Sequence, residues 1–389
     1  MRILFVNYEY PPLGGGGGVV NAWLAEELAR RHEVTVLTSG AFDLAEHEVQ
    51  NGVEIVRSNT FFRRQMAVAN LPSMASFIVG GVRKGRQLLK AREFDVINTH
   101  FALPTGPVGA SMARAAKLAN VLSVHGGDLY DPTKWMSPHR HFLLRSIVSR
   151  IVSCADAVVG QSRNTNENLK RWYRPEREPY LIPLGIPRPP AASAGRVELG
   201  LASNEFVMTT IGRLVARKGI DQLITALSHL PGENARLVVI GDGPDLPALQ
   251  QQAARLRLAS RVTFTGFVSD QQKVNWLAAS DIYVSTSQHE GFGLVFLEAM
   301  AQGLPIVCYD HGGQTDFLAD GTNGMILPLN DLEGFTRAVG RLEADVALRQ
   351  RISERNRKDV EQYFIERCAS RYEELFRSLA ASGPRARCR

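Results

Sequence analysis

Two glutamates stand eight residues apart in the segment Glu290-Gly-Phe-Gly-Leu-Val-Phe-Leu-Glu298. A carboxylate accepts two hydroxyl hydrogen bonds well, as a ribose or hexose diol requires. Gly291 and Gly293 lie between them, and glycine lets backbone N–H groups approach a ligand closely. A helix starting at Gly293 offers unpaired N–H groups and a positive dipole end, a setting for phosphate. Together these features suit a ligand with both hydroxyls and phosphate. Taken by itself, the segment also reads as a strand, a loop and a helix with surface acids.

Two more stretches have chemical character. Pro11-Pro-Leu-Gly14-Gly15-Gly16-Gly17-Gly18 holds five consecutive glycines, a backbone able to hug a phosphate or an acceptor, or a mobile loop. A dinucleotide fingerprint is a weaker reading. The next strand ends in Thr38-Ser39-Gly40, with no acid for a ribose 2′-hydroxyl. His125-Gly126-Gly127-Asp128 follows another strand, and Asp128 suits either an acceptor hydroxyl or a turn. The chain has no Asp-x-Asp pair. A metal-clamped diphosphate usually draws on clustered carboxylates, so no metal is expected.

The elements that must hold these residues follow one pattern. Short β-branched runs at 3–7, 33–38, 53–57, 95–99, 121–125 and 157–160 alternate with helical stretches such as 19–31, 107–117 and 138–154. Alternation of this kind predicts parallel strands with crossover helices. Residues 183–195 carry four prolines and two glycines and break the pattern, so they read as a linker. It resumes with strands at 206–213, 237–241, 262–265, 282–286 and 306–310, and helices at 221–229, 244–257, 271–279 and 294–302, before three helical patterns in 331–381. The fold class is α/β, two doubly wound Rossmann-like domains whose ligands sit at the carboxyl ends of the strands, facing each other across a cleft.

Order and spacing of these motifs resemble the retaining glycosyltransferases of GT-B fold known as family 4. The resemblance rests on the Glu290–Glu298 pair, Gly212-Arg213-Leu214 with Lys218-Gly219, Gly241-Asp242-Gly243-Pro244, Gly266-Phe267-Val268, the glycine-rich loop and His125-Gly126-Gly127-Asp128. It implies a hexosyl transfer from a nucleoside-diphosphate sugar (UDP or GDP) to a hydroxyl acceptor with retained configuration. Arg213 and Lys218 would grip the diphosphate in place of a metal. Glu298 would hold the ribose and Glu290 a hydroxyl of the donor sugar. Gly291, Phe292, Gly293 and Leu294 would cover the diphosphate with backbone amides, and Val268 would meet the base through its main chain. Gly241, Gly15 and Gly16 are the remaining donor-binding positions. His125 would contact the donor sugar, and Asp128 the acceptor. Pro183-Leu-Gly-Ile-Pro187 and Gly312-Gly-Gln-Thr-Asp316 depart from the family pattern.

The resemblance divides the chain into an acceptor domain at 1–186, a donor domain at 187–365, and a returning helix with a tail at 366–389. Expected partners are the nucleotide sugar and a sugar or lipid-linked acceptor, in polysaccharide or glycolipid synthesis, with no cofactor and no nucleic acid. Alternatives are a nucleotide-sugar epimerase or phosphorylase of the same fold, or a non-catalytic nucleotide-binding module.

Composition agrees with a globular enzyme: 389 residues, 44% hydrophobic and 22% charged. The net charge of +6 is lodged in residues 1–186, which hold 22 of 45 basic and 16 of 39 acidic residues. Cys154, Cys308, Cys368 and Cys388 show no metal or disulfide spacing, which suits a reducing compartment. A cytoplasmic protein is expected. Residues 71–92 read as a basic amphipathic helix preceded by Phe61-Phe62-Arg63-Arg64, either a surface for the inner, anionic membrane face or an ordinary domain helix.

Overall fold

The computed structural model describes residues 1–66, 69–132 and 134–383, so the expectation for Cys388 lies outside the described residues. The chain forms two units, Met1–Pro187 joined by the segment from Phe364, and Arg188–Tyr363.

The first unit runs β1 (Arg2–Asn7), α1 (Gly16–Ala29), β2 (Glu33–Gly40), β3 (His47–Gln50), β4 (Val53–Asn59), α2 (Leu71–Ala91), β5 (Val96–His100), α3 (Thr105–Ala116), β6 (Ala119–Val124), α4 (Phe142–Ser153), β7 (Ala157–Gly160), α5 (Arg163–Tyr173) and β8 (Tyr180–Leu181). The sheet order is β3-β4-β2-β1-β5-β6-β7-β8, and only β3 pairs antiparallel. Strand β1 shows why the apolar runs are continuous. Ile3 and Phe5 enter one core cluster with Leu24 and Leu28 of α1, while Leu4 and Val6 enter another with Phe77, Val108 and Met112. Side chains alternate between faces, and helices cover both.

The second unit runs β9 (Phe206–Ile211), α6 (Ile220–His229), β10 (Ala235–Ile240), α7 (Leu246–Arg255), β11 (Val262–Gly266), α8 (Asp270–Ala278), β12 (Ile282–Ser285), α9 (Leu294–Ala301), β13 (Ile306–Tyr309), β14 (Gly324–Leu327), α10 (Leu332–Ala344) and α11 (Val346–Asp359). Its sheet is parallel throughout, in the order β11-β10-β9-β12-β13-β14.

The last helix, α12 (Ile365–Ser382), belongs to the first unit. Ile365, Cys368, Ala369, Tyr372, Leu375, Phe376 and Leu379 recur at helical spacing and join the cluster of Ile3 and Phe5. Its start is stitched to the linker, since Ile365 N–H donates to the Ile186 carbonyl at 2.8 Å. A Cβ on Gly185 would lie 2.7 Å from the Ile365 Cα, so glycine permits this approach.

Both sheets have a switch point, between β1 and β5 and between β9 and β12, where strand order reverses. Loops leaving adjacent strands diverge there and leave a crevice at the carboxyl ends. The loops after these four strands carry most of the residues singled out above.

Three details differ from the sequence expectations. Helix α1 starts at Gly16, inside the glycine run rather than at residue 19. Strands β3, β8 and β14 had no counterpart, being short or exposed along their length. Helix α2 does form, but Phe77, Gly81, Leu88 and half-buried Met74, Val82 and Leu89 face the sheet and α3. Its apolar face is covered by the sheet and α3, as in an ordinary domain helix.

Candidate active site

In the second unit, β9 ends at Ile211 and the chain passes through Arg213 and a short turn, Ala216–Lys218, into α6. Gly219 joins turn and helix with φ of +62°, and a Cβ there would lie 2.5 Å from the Thr286 carbonyl oxygen. The loop after β12 is laced to this turn. Thr286 Oγ1 donates to the Gly219 carbonyl at 2.6 Å, and Gln288 N–H to the Arg217 carbonyl at 2.8 Å. This lacing brings Lys218 Nζ into a close ion pair with Glu290 Oε1. Arg217 lies 3.9 Å from the other carboxylate oxygen and donates to the His289 carbonyl. Burial alone would push the Glu290 carboxyl up, but Lys218 and Arg217 outweigh it and hold it below the usual carboxylate range. Arg213 is exposed on the same loop and makes no ion pair among the described residues.

The Glu290 backbone is fixed from behind by Gly313 N–H, which donates to its carbonyl at 2.8 Å. A Cβ on Gly313 would lie 2.1 Å from the Gly291 carbonyl oxygen. Gly293, with φ of +93°, starts α9. Leu294 is the first residue of that helix, whose leading amides have no intrahelical acceptor. The buried Phe292 ring packs on Phe317 with centroids 5.2 Å apart. Glu298 sits one turn on and accepts from Lys273 Nζ at 2.8 Å. Burial pushes the Glu298 carboxyl up, and Lys273 only partly offsets it. Gly241 N–H donates to the Gly266 carbonyl at 2.9 Å, and a Cβ on Gly241 would sit 2.0 Å from the Gly212 carbonyl oxygen. Gly241 thus acts by its smallness, letting the ends of β9 and β10 close up. Val268 packs its side chain against the buried cluster of Val207, Val238 and Ile240.

In the first unit, Gly15 and Gly16 form the open edge of the glycine loop, and a Cβ on either meets nothing within 4 Å. The other three glycines are enclosed. A Cβ would lie 2.5 Å from Glu9 at Gly14, 2.5 Å from the Phe101 ring at Gly17, and 3.2 Å from Glu9 at Gly18. Glu9 Oε2 accepts from Gly15 N–H at 3.2 Å, and burial pushes its carboxyl up.

Just past β6, the His125 ring lies against Phe101 at 4.4 Å. Its Nε2 meets His100 Nδ1 at 3.0 Å, and its carbonyl accepts from Gln161 Nε2 at 2.7 Å. Burial pulls His125 down to about 4, so the ring is neutral near pH 7. Asp128 accepts from His125 N–H at 2.9 Å through one oxygen and from Ala102 N–H at 2.8 Å through the other. The structure therefore gives Asp128 the turn-forming role, holding His125 against the loop after β5.

Arg217, Lys273, Glu9, His100 and Gln161 were not singled out from sequence. Arg217 adjoins Lys218, a signal that was present. Lys273 lies in a separate helix and becomes visible as a partner of Glu298 only through the fold. Among the described residues no cluster of three His, Cys, Asp or Glu side chains could hold a metal ion.

Two family models match adjoining parts of the chain, Glycosyltransferase Family 4 over residues 14–188 and Glycosyl transferases group 1 over residues 194–359. A glycogen synthase of Mycobacterium tuberculosis is 30% identical over 90% of this chain and 88% of its own length. The GDP-mannose-dependent alpha-(1-6)-phosphatidylinositol monomannoside mannosyltransferase of Mycolicibacterium smegmatis is 29% identical over 88% of this chain and 89% of its own. HepE of Anabaena, solved with UDP-glucose, superposes with a TM-score of 0.77 at 22% identity, covering 97% of this chain and 100% of that one. With its two parallel-sheet units, its laced Lys218–Glu290 loops and full-length relatives of one kind, the chain belongs to the family 4 glycosyltransferases of GT-B fold.

Proposed function

We propose that the protein moves a hexosyl group from a UDP- or GDP-sugar to a hydroxyl acceptor with retained anomeric configuration and without a metal ion. The observation that carries this reading is the pairing of Lys218 and Arg217 with Glu290 at the β9–β12 switch point. Charge develops on the leaving diphosphate as the glycosidic bond breaks, and fixed cations at a strand end stabilise it. Lys218 and exposed Arg213 take that role, aided by the leading amides of α9 at Gly293 and Leu294. Glu290, held ionised, accepts from a hydroxyl of the donor sugar, and Glu298 from the ribose. Val268 meets the base through its main chain. Gly15 and Gly16 offer backbone to the donor, and neutral His125 a ring nitrogen to the sugar. Asp128 serves the acceptor step by positioning His125. The reaction is a front-face substitution in which the leaving phosphate oxygen takes the acceptor proton. The GDP-mannose-dependent activity named for the mannosyltransferase and the UDP-glucose bound to HepE support a nucleotide-sugar donor.

The test is turnover of the Lys218→Ala and Arg213→Ala variants. Loss of one charge-stabilising group lowers kcat by roughly 10²–10³-fold. Near-normal turnover in both variants would overturn the assignment, and an epimerised donor or phosphate-dependent cleavage would move it to the alternative enzyme classes.

Peripheral contact with an anionic membrane belongs to the same reading, on a different surface from α2. Trp135, Met136, Phe142, Leu143 and Ile147 are exposed, and no acidic residue lies between Asp131 and Asp156, while Lys134, Arg140, Arg145 and Arg150 do. The His141 ring packs on Trp135 at 5.2 Å, tying the loop to the start of α4. Apolar and basic side chains on one surface suit an anionic lipid interface carrying a lipid-linked acceptor.

A further inference from the structure

We propose that Tyr372, on the returning helix α12, fixes which ring nitrogen of His125 carries its proton, acting through Ser123, Asn98 and His100. The five side chains form one hydrogen-bonded chain. The Tyr372 hydroxyl donates to Ser123 Oγ at 3.0 Å, and Ser123 Oγ donates to Asn98 Oδ1 at 2.9 Å. Asn98 Nδ2 meets His100 Nε2 at 2.8 Å, and His100 Nδ1 meets His125 Nε2 at 3.0 Å. Asn98 and His100 sit two apart on β5 and so point to one face, and His100 is in register with Ser123 of β6.

Direction along the chain follows from its far end. Among the described residues the phenol has one partner, Ser123, and Tyr372 is 2% exposed. Were the chain reversed, the buried phenol proton would have no acceptor, a state that buried polar groups avoid. Tyr372 therefore donates. Ser123 accepts and passes its own proton to Asn98 Oδ1, which turns Asn98 Nδ2 toward His100 Nε2. Nε2 of His100 must then be bare, so its proton is on Nδ1 and is donated to His125 Nε2. His125 Nε2 is the acceptor, and its proton is on Nδ1. His100 is fully enclosed and stays neutral, held well below its ordinary value by burial and by the neighbouring His125. The Gln161 side chain also interacts with the His125 ring, but its Oε1 accepts no hydrogen bond among the described residues, so the Nδ1 N–H is left for a hydroxyl oxygen. A helix formed by the end of the chain thus sets the donor–acceptor pattern of a residue in the first half. Tyr372, Ser123, Asn98 and His100 are positioning residues, and the catalytic consequence rests on the reading of His125 at the donor sugar.

Nitrogen-15 NMR of histidine-labelled full-length protein reads the tautomer directly, for the wild type, Tyr372→Phe and Ser123→Ala. Tyr372→Phe keeps the ring against Phe376, and Ser123→Ala breaks the chain elsewhere, so a folding defect in one variant leaves the other informative. The wild type is expected to hold the His125 proton on Nδ1 alone. In both variants the two directions become equivalent and both tautomers appear. Turnover then falls about twofold, as the competent fraction does. A wild-type proton on Nε2, or a His125 tautomer unchanged in both variants, overturns the proposal. A mixed tautomer with unchanged turnover supports the chain of hydrogen bonds and overturns the role of His125 at the sugar.

Discussion

Glu290 and Glu298 carry the same functional group eight residues apart, and the structure moves them in opposite directions. Glu290 faces Lys218 and Arg217 and is held below the usual range, whereas Glu298 has Lys273 alone and burial pushes it up. The signs of their contributions to stability differ accordingly. The Glu290 ion pair stabilises the fold above the unfolded carboxylate value of 4.5 and is lost as pH falls through the lower folded value. Glu298 favours folding where it is protonated, and its contribution fades as pH rises through the raised folded value. His125 gives a cleaner prediction. Its folded value of about 4 lies below the ordinary 6.5, so the unfolded chain binds more protons between the two. Stability is therefore complete above pH 6.5 and declines as pH falls toward 4. His100 shifts the same way. His125→Asn should flatten part of this slope in denaturant titrations between pH 4.5 and 7, and an unchanged slope would contradict a half-buried, neutral ring.

At the scale of elements, α12 is the feature with the largest structural consequence. Phe376 is fully buried on it, so Phe376→Ala should remove about 3–5 kcal/mol from the stability of the first unit. Chemical denaturation checks this, and a loss under about 1 kcal/mol would mean that α12 only rests on that unit. Alternation of strand and helix patterns made the two doubly wound units legible, because parallel strands buried on both faces leave long apolar runs. The Glu290–Glu298 segment was legible for the same reason that it works: its glycines and its acids sit where a strand becomes a helix. Its partners were less so. Lys273 reaches Glu298 from α8, and the Asn98–His100–Ser123 cluster forms across β5 and β6 with Tyr372 from α12. Contacts of such separation leave no local periodicity. Residues 71–92 read either as a membrane surface or as a domain helix, since amphipathicity reports only that one face is covered and not by what.

At the scale of the whole molecule, part of the basic excess of residues 1–186 lies beside exposed apolar side chains. Lys134, Arg140, Arg145 and Arg150 accompany the exposed Trp135, Phe142, Leu143 and Ile147 in the first unit. None of the helices among the described residues is long and apolar enough to cross a membrane. Sedimentation with vesicles containing anionic phosphatidylglycerol should carry the protein down at low salt and release it at high salt. Trp135→Ala with Phe142→Ser should abolish pelleting. Equal pelleting with neutral vesicles, or none with either, would contradict the surface assigned here.

The proposed function puts a nucleoside-diphosphate site in the second unit, built by Lys218, Glu290 and Glu298. Thermal unfolding of the wild type and Glu298→Ala with UDP, GDP, ADP and NAD, each in EDTA and in magnesium, tests it most directly. A ligand at about 100 times its Kd adds roughly 2.7 kcal/mol to the folded state, enough to raise Tm visibly. The expected result is a rise with UDP or GDP that is the same in EDTA and magnesium and is reduced in Glu298→Ala. A rise with NAD alone, a rise that needs magnesium, or none with any of the four would contradict it.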